Sequence, residues 1–224
     1  MDHRAACATC GVLRRRAKPM EKAAARVCRE AGARVTENVL LQNFNLQGIS
    51  AHDRRQIEVV ANGLPLWGGA QLAVDTTLVS PVRRDGVPQP GAESEDGSQL
   101  RVARRRKEAT YHELLASRRC RLVVLAVEVG GRWSAEATSF IRRLAKAKAR
   151  GQPALLRRSA QLAYQNRWTG LLSVAAQRAF ARTLLELPVD EAGADGAAPA
   201  LSDLLHETRL LEPPAPSRLP ALMA

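Results

Sequence analysis

The sequence predicts an α/β fold with a small mixed four-stranded sheet, flanked by helices and followed by extra C-terminal helices. Two apolar segments, QIEVVA and QLAVDTTLV, are separated by the turn-rich NGLPLWGG and therefore predict an antiparallel hairpin. A third apolar segment, RLVVLAVEV, is nearly continuous, which is typical of a strand covered on both faces. A helical segment separates it from the hairpin, so we expect the strands on either side of that helix to pair in parallel.

One helix and one strand are predicted before the hairpin. PMEKAAARVCREAG has Pro19 in the position of a first helical turn and Gly32 in that of a C-cap. ARVTENVLL, which ends at Leu41, predicts the first strand, and the polar QNFNLQGISAHDRR predicts a loop. These segments complete the four-stranded sheet.

Helices dominate the chain after the hairpin. We expect a mobile loop at 80–98, where Pro, Gly and acidic residues are frequent, and a helix at 100–117. Beyond the last strand, one helix is predicted at 135–150 and two more within 153–187.

The charge of the chain is strongly positive, with 34 Lys and Arg against 22 Asp and Glu and a net charge of +12. No apolar run approaches the roughly 20 residues that span a bilayer, and the N-terminus lacks the apolar stretch of a secretory signal. We therefore expect no membrane partner, an intracellular and nuclear location, and cysteines that are reduced or metal-bound. A basic chain suits a polyanion, with DNA as the first candidate and RNA as the second; a solvated arginine-rich surface is the other interpretation. The oligomeric state stays open.

Two of the predicted strands each carry a carboxylate. Glu58 lies in the first strand of the hairpin and Asp75 in the second, and an unpaired charge inside a sheet is costly. A hairpin can bring both to one face, where they would repel each other unless a divalent cation such as Mg²⁺ binds them. The alternation of side chains does not give the register, so the distance between the two carboxylates stays open.

A lysine interrupts the apolar stripe of the next predicted helix. The stripe consists of Leu100, Ala103, Lys107, Tyr111 and Leu114. A lysine that faces the sheet needs an anion, and Asp75 or a scissile phosphate beside it would serve; alternatively, Lys107 extends along the helix to water. Glu128, near the carboxyl end of the last strand, is a third candidate ligand or a structural partner of Arg132.

These residues and their order resemble the restriction-like endonuclease domain of non-LTR retrotransposons, a branch of the PD-(D/E)XK nuclease superfamily. Members read roughly "PD", then "VDVxVVS", then "K…KY" on the next helix. Here Glu58 stands in place of the Asp of "PD", AVDTTLVSP surrounds Asp75, and RRRKEATY contains Lys107. Glu21 resembles an accessory glutamate of the first helix, and LVVLAVEVGGRWSAEA resembles the last core strand of related retroelement reading frames. The chain departs from the superfamily at Thr77, which occupies the usual lysine position, so Lys107 would replace that lysine from the helix.

The N-terminal DHRAACATC resembles the end of a zinc-knuckle-like motif that precedes the nuclease in those elements. Its His3, Cys7 and Cys10 are three of the four ligands that tetrahedral zinc needs, and Cys28 is a distant candidate for the fourth. The other cysteines of the motif would lie before the first residue, so the resemblance implies a truncated remnant at 1–12 and an incomplete Zn²⁺ site.

The resemblance implies a DNA endonuclease that uses Mg²⁺ or Mn²⁺ and belongs to the C-terminal part of a reverse-transcriptase-type retroelement protein. The nuclease domain would occupy 13–188, followed by a flexible, acidic and Pro-rich tail at 189–224. The catalytic candidates are Glu58, Asp75, Lys107, Tyr111 and Glu128. Arginines in three clusters of the sequence would bind nucleic acid: Arg14, Arg15, Arg16, Arg104, Arg105, Arg106, Arg142 and Arg143.

Two other functions are open. A catalytically inactive relic of such an element would keep the basic surface and bind nucleic acid without cutting it. A helical protein-interaction module would instead use the C-terminal helices, with Tyr164, Trp168 and Phe180 as anchors. Metal-dependent cleavage separates the nuclease from the relic, and geometry does so too: carboxylates of Glu58 and Asp75 that point to opposite faces of the sheet would favour the relic. Burial of the three aromatic side chains counts against the interaction module.

Overall fold

The computed structural model of the chain describes residues 12–44, 46, 48–83 and 85–185. By its internal contacts the chain divides into a unit at 1–187 and a second unit at 188–224. The predicted zinc-knuckle remnant, with His3, Cys7 and Cys10, and the predicted tail at 189–224 lie outside the described residues.

Five helices and four strands make up the described part of the first unit. The helices are α1 (Val12–Ala31), α2 (Ser98–Thr110), α3 (His112–Ala116), α4 (Ala135–Ala149) and α5 (Arg157–Leu185). The strands are β1 (Arg34–Leu40), β2 (Gln56–Asn62), β3 (Gln71–Val79) and β4 (Cys120–Glu128). Short 3₁₀ turns occupy Leu41–Phe44, Trp67–Gly69 and Ala154–Leu156.

The four strands form one mixed sheet in the order β1-β2-β3-β4. β1 pairs antiparallel with β2, and β2 pairs antiparallel with β3. β3 and β4 are parallel, and their register sets Asp75 opposite Val124. The predicted fold class is confirmed: a small mixed four-stranded sheet lies between helices, with the hairpin and the parallel crossover where the sequence predicted them.

Helices cover both faces of the sheet. On one face, α1, α4 and α5 form a three-helix layer, whose buried side chains include Cys28, Phe140, Leu144, Trp168 and Leu172. On the other face, Leu100 of α2, Leu114 of α3 and Tyr111 between the two helices are buried. β4 supplies alternate side chains to the two cores, which explains why its sequence is almost continuously apolar.

Three predicted helices have different bounds in the structure. α1 begins at Val12, so Pro19 lies inside the helix rather than in its first turn. The loss of one backbone hydrogen bond at the proline is tolerated because the next residue, Met20, is fully buried. The segment 153–187 forms one long helix instead of two: Gly170 stays helical because Trp168 and Leu172 on either side are anchored in the core.

The predicted helix at 100–117 is broken at Tyr111. The backbone of that residue has φ −122° and ψ 43°, which ends α2 before α3 starts. Arg55 holds the short α3 against the start of β2, because its guanidinium lies 2.5 Å from Glu113 and 2.6 Å from Asp53. The break turns Tyr111 inward, where it is buried.

β1 and β2 exchange faces halfway along their length. Val59 packs in the core of the three-helix layer, whereas Ile57, two residues away, packs under α2 and α3. Val35 and Val39 of β1 differ in the same way. The register leaves Asn38 opposite Glu58 at the point of exchange, and Asn38 has a left-handed backbone with φ 53°. This distortion decides where Glu58 lies.

Candidate active site

Asp75 is a completely buried carboxylate in the middle of β3. Its side chain shares a face with Ala73 and Val79, both of which pack on the α2–α3 side of the sheet. Lys107 Nζ lies 2.6 Å from Asp75 Oδ1, yet neither carboxylate oxygen receives a well-oriented hydrogen bond from a described residue. Burial raises the pKa of Asp75, and the nearby positive charge of Lys107 opposes that rise.

Lys107 reaches this carboxylate from α2. Its side chain is 28 % exposed, so the ammonium group lies at the border between the sheet and solvent. It is also 6.0 Å from the centre of the Tyr111 ring, at the outer limit of a cation–π contact. The structure therefore places Lys107 on the inward stripe of α2 and gives it Asp75 as its anion.

Tyr111 forms one wall of the site. Its hydroxyl donates a 2.9 Å hydrogen bond to the carbonyl oxygen of Gln56, at the start of β2. Burial and the negative charge of Asp75 raise the pKa of Tyr111, so the phenol stays protonated. Tyr111 therefore fixes β2 relative to α2 and stands beside the acid rather than acting as a base.

Glu58 binds the residue next to Asp75. Its Oε2 atom accepts hydrogen bonds from Thr76 N, at 2.6 Å, and from Thr76 Oγ1, at 2.7 Å. The ladder between β2 and β3 pairs Val59 with Val74, and Glu58 is the next residue along it. The carboxylate of Glu58 thus takes the Thr76 amide hydrogen that a strand carbonyl would otherwise accept, and β2 and β3 separate at this point.

The ionised form of the Glu58 side chain is strongly disfavoured. Burial is the largest cause, the negative charge of Asp75 is the second, and the charge of Glu21 on α1 adds to them. The two hydrogen bonds from Thr76 favour the ionised form but do not compensate, so the pKa of Glu58 is raised to about 8. At neutral pH this carboxyl group therefore holds a proton unless a cation replaces it.

The two carboxylates are neighbours across the gap between β2 and β3, and their partners lie on different sides. The ladder that pairs Val59 with Val74 brings Glu58 next to Asp75 in the register. Asp75 meets Lys107 on the α2 side, whereas the Thr76 side chain that binds Glu58 belongs to the opposite face of β3. In the part of the chain that the structure describes, no group of three or more His, Cys, Asp or Glu could hold a metal ion.

Glu128 lies apart from this pair. It is opposite Val79 in the parallel register, four residues beyond the Val124 that faces Asp75. Four strand residues span roughly 13 Å. Its Oε2 atom is 3.8 Å from Nε of Arg132, in the turn that follows β4. The structure thus gives Glu128 the role of a partner for Arg132 and does not bring it to the catalytic candidates.

Thr76 and Asn38 are the residues that sequence reasoning missed. Thr76 satisfies Glu58, and Asn38 provides the left-handed backbone opposite it. Asparagine in a strand gives a weak signal, because it tolerates this conformation better than most residues. No signal marks Thr76, because its role depends on a register that the sequence does not contain.

The predicted nucleic-acid-binding arginines have different surroundings. Arg104 is engaged within the fold, with Glu108 at 2.9 Å and Glu136 at 2.7 Å. Arg105, Arg106, Arg142 and Arg143 are exposed. Arg14, Arg15 and Arg16 lie in α1, where the structure describes their backbone but not their side chains.

Cys28 does not offer a metal ligand. It is a free thiol with no exposed surface inside the three-helix core. Burial raises its pKa to about 12, and zinc binds the thiolate form. Cys120 is likewise a buried free thiol, at the start of β4.

The aromatic side chains of α5 pack against other residues of the same unit. Trp168 is fully buried, and its Nε1 atom donates a 2.9 Å hydrogen bond to Glu30 Oε2 on α1. Tyr164 stacks on it with ring centres 5.4 Å apart, and Phe180 packs against a cluster that includes Met20. These contacts join α5 to α1; Trp168 is fully buried, whereas Tyr164 and Phe180 are partly buried.

Comparisons with protein-family models and with curated proteins give no match to the chain. Within the described residues, no helix is both long enough and apolar enough to cross a membrane.

Proposed function

We propose that the chain contains a metal-dependent DNA endonuclease domain derived from a non-LTR retrotransposon. The observation that carries the proposal is the buried carboxylate of Asp75, which faces Lys107 and lacks a well-oriented hydrogen bond on either oxygen. A buried carboxylate with a raised pKa and a specific cationic partner at the border with solvent is a candidate functional group. The nuclear location expected from the sequence belongs to the same proposal.

The proposed cation is Mg²⁺. Mg²⁺ takes one or two carboxylates and keeps several waters, so a set of three protein ligands is not required. Asp75 would hold the ion through Oδ2, the oxygen that does not face Lys107 in the 2.6 Å ion pair, and Glu58 through the oxygen that Thr76 does not use. Because the partners of the two carboxylates lie on different sides, Glu58 would have to turn towards the face of Asp75 to share the ion. A bound divalent cation would acidify water for attack on a phosphodiester and stabilise the leaving oxygen.

The residues of the chain then have separate roles. Lys107 places a positive charge at the solvent border of the site, where it would stabilise the charge that develops on a phosphate during cleavage. Thr76 orients Glu58 through its two hydrogen bonds, and Tyr111 holds the start of β2 through Gln56. Arg105 and Arg106, exposed on the same helix as Lys107, would bind neighbouring phosphates.

Nicking of a supercoiled plasmid in Mg²⁺ tests the proposal. Asp75→Asn keeps the shape of the side chain and removes its charge, so we expect nicking to disappear. Lys107→Met should lower the rate by roughly 10²–10³-fold, because one charge-stabilising group is lost. Glu93→Gln, in the exposed loop before α2, is the matched control and should cut at the normal rate. Equal nicking by Asp75→Asn and the parent chain would rule the mechanism out.

Metal binding has a readout that does not need activity. With 10 mM Mg²⁺ and a dissociation constant of about 1 mM, the folded chain should gain about 1.4 kcal/mol of stability. The gain should vanish in Asp75→Asn and persist in Glu93→Gln. An equal gain in all three proteins would place the ion elsewhere.

An inactive nucleic-acid-binding relic is the second candidate. The observation that favours it is the division of the carboxylates between two partners, with Glu58 on Thr76 and Asp75 on Lys107. In such a relic Lys107 would permanently neutralise Asp75, and Mg²⁺ would neither bind nor promote cutting. Tight, salt-sensitive DNA binding without nicking and without stabilisation by Mg²⁺ would select the relic over the enzyme.

A further inference from the structure

Four of the six residues that line a groove between α4 and α5 are cationic. The groove has a volume of about 390 Å³ and is formed by Lys146, Ala149, Arg150, Arg157, Arg158 and Gln161. The four cationic side chains are exposed, and within the described residues none of them forms an ion pair with a carboxylate. Four like charges that border one groove repel each other, so the groove is complementary to an anion with several charges.

The cationic surface continues along α4. Arg143 lies three residues before Lys146 and seven before Arg150, so the three share one face of the helix. The guanidinium of Arg143 is 5.5 Å from the centre of the Trp67 ring, and that of Arg121 is 5.7 Å from it. Trp67 thus holds two further cations in place, and the positive surface extends beyond the groove itself.

The groove belongs to the opposite face of the sheet from Lys107. α4 and α5 pack in the three-helix core, whereas α2, which carries Lys107, covers the other face. A ligand of the groove therefore does not occupy the Asp75 site. The two surfaces can be altered independently.

From these observations we infer that the groove of Lys146, Arg150, Arg157 and Arg158 binds the phosphate backbone of duplex DNA, as an anchoring site separate from the carboxylate cluster. Nucleic acid matches the surface because it presents phosphates at regular short intervals, and an extended row of unpaired cations suits such a ligand better than one small anion. The choice of DNA rests on the proposed function; the cationic groove itself does not depend on whether Asp75 supports cutting.

The salt dependence of binding gives a quantitative expectation. Each phosphate neutralised contributes about −0.9 to the slope of log K against log salt concentration, so four contacts give a slope of about −3.6. Affinity that depends on the groove should thus fall roughly 150-fold between 50 and 200 mM salt.

The experiment measures binding of a fluorescent 30-base-pair duplex by anisotropy, in EDTA so that no metal is present. The test protein is the full chain with Lys146→Ala, Arg150→Ala, Arg157→Ala and Arg158→Ala, whose fold is checked by circular dichroism. We expect the salt slope to become less steep by three to four units relative to the unaltered chain. A second variant, with Lys146→Arg, Arg150→Lys, Arg157→Lys and Arg158→Lys, keeps the charges and should keep the slope.

The matched control removes four exposed arginines outside the groove: Arg34→Ala, Arg54→Ala, Arg118→Ala and Arg178→Ala. It changes the net charge equally, so a slope change as large as that of the groove variant would overturn the proposal in favour of a diffuse basic surface. A polyglutamate peptide of similar charge that binds the groove as tightly as the duplex would also overturn it. Binding that persists while nicking is absent refutes only the endonuclease, and nicking that persists with an unchanged salt slope refutes only the groove.

Discussion

Glu58 is the carboxyl group whose charge state changes near neutral pH. In the unfolded chain it would titrate near its ordinary pKa of 4.5, whereas in the folded protein its pKa is about 8. The folded state therefore binds this proton more tightly than the unfolded state does. The stability that Glu58 contributes is complete below about pH 4.5 and is lost as the pH rises through about 8. Asp75, whose pKa is also raised, acts in the same direction.

Replacement of Glu58 by Gln should remove most of this pH dependence. Glutamine keeps an oxygen to accept the Thr76 hydrogen bonds but never carries charge, so repulsion with Asp75 disappears. As the pH rises from 5 to 8.5, the parent chain should lose stability that Glu58→Gln keeps. We expect the free energy of unfolding of Glu58→Gln, measured with urea at each pH, to rise relative to that of the parent by on the order of 2–4 kcal/mol over this range. Glu93→Gln, an exposed carboxyl group, should follow the parent curve. If the free energies of unfolding of the parent and of Glu58→Gln depend on pH in the same way, the pKa of Glu58 is not raised by its surroundings.

For the single residues of the site, the charged side chains could be located from the sequence but their partners could not. Glu58, Asp75 and Lys107 stood out because charged side chains in apolar strands and stripes are rare. The hydrogen bonds from Thr76 to Glu58, and the turn of Glu58 away from the face of Asp75, depend on register and on backbone distortion. Alternation with period two cannot predict them, because it assumes regular strands.

Among the elements of the fold, the distortion in β1 determines which face of the sheet the side chains of β1 and β2 occupy. Asn38 has φ 53°, a conformation that costs an ordinary side chain roughly 1–2 kcal/mol. There β1 and β2 turn their side chains to the other face, which brings Ile57 under α2 and leaves Val59 under the three-helix layer. The site thus depends on one irregular residue in an edge strand.

Asn38→Val should destabilise the fold, although valine is the better strand former. A β-branched side chain is strained at positive φ, so we expect a loss of about 1–3 kcal/mol in urea unfolding. Thr36→Val, at an exposed position of the same strand, is the control and should change stability by less than about 0.5 kcal/mol. If Asn38→Val and Thr36→Val change the free energy of unfolding equally, the backbone of Asn38 is not left-handed in solution.

The bounds of the strands could be predicted better than those of the helices. β3 spans Gln71–Val79 as its apolar run indicated, and β4 ends at Glu128, one residue before the end of its predicted run at Val129. Helix ends depend on contacts far along the chain: α5 stays continuous through Gly170 because its flanking residues are buried against α1 and α4. Such contacts leave no local pattern in the sequence.

In the described unit as a whole, α5, the last described helix of the chain, is connected to the first, α1. Arg167 binds Glu30 with two hydrogen bonds of 3.0 Å, and Trp168 and Arg26 bind the same carboxylate. Burial opposes ionisation of Glu30, but these donors outweigh it and lower its pKa to about 2. α1 is therefore fixed to α5 by an ionic cluster beside a buried tryptophan.

Trp168→Ala should weaken the entire unit rather than α5 alone. Loss of a fully buried tryptophan costs about 3–5 kcal/mol, and Trp168→Phe, which loses mainly the hydrogen bond to Glu30, should cost less. Hydrogen exchange should show reduced protection in β2, β3 and β4 as well as in α5. Leu162→Ala, at a half-exposed position of the same helix, is the control and should leave protection unchanged. A loss confined to α5 would mean that the helix is an independent element.

The pairing of α1 with α5 also has a consequence for synthesis of the chain. Glu30 and Trp168 are 138 residues apart, so at about 5–20 residues per second a ribosome needs roughly 7–28 seconds to add the second after the first. During that interval the alanines and the cysteine of the inner face of α1 can pack against the sheet but not against α5, and the three-helix core cannot close. Completion of this domain must therefore wait until α5 has left the exit tunnel, and a nascent-chain chaperone that recognises apolar helices would find the α5-facing side of α1 available until then.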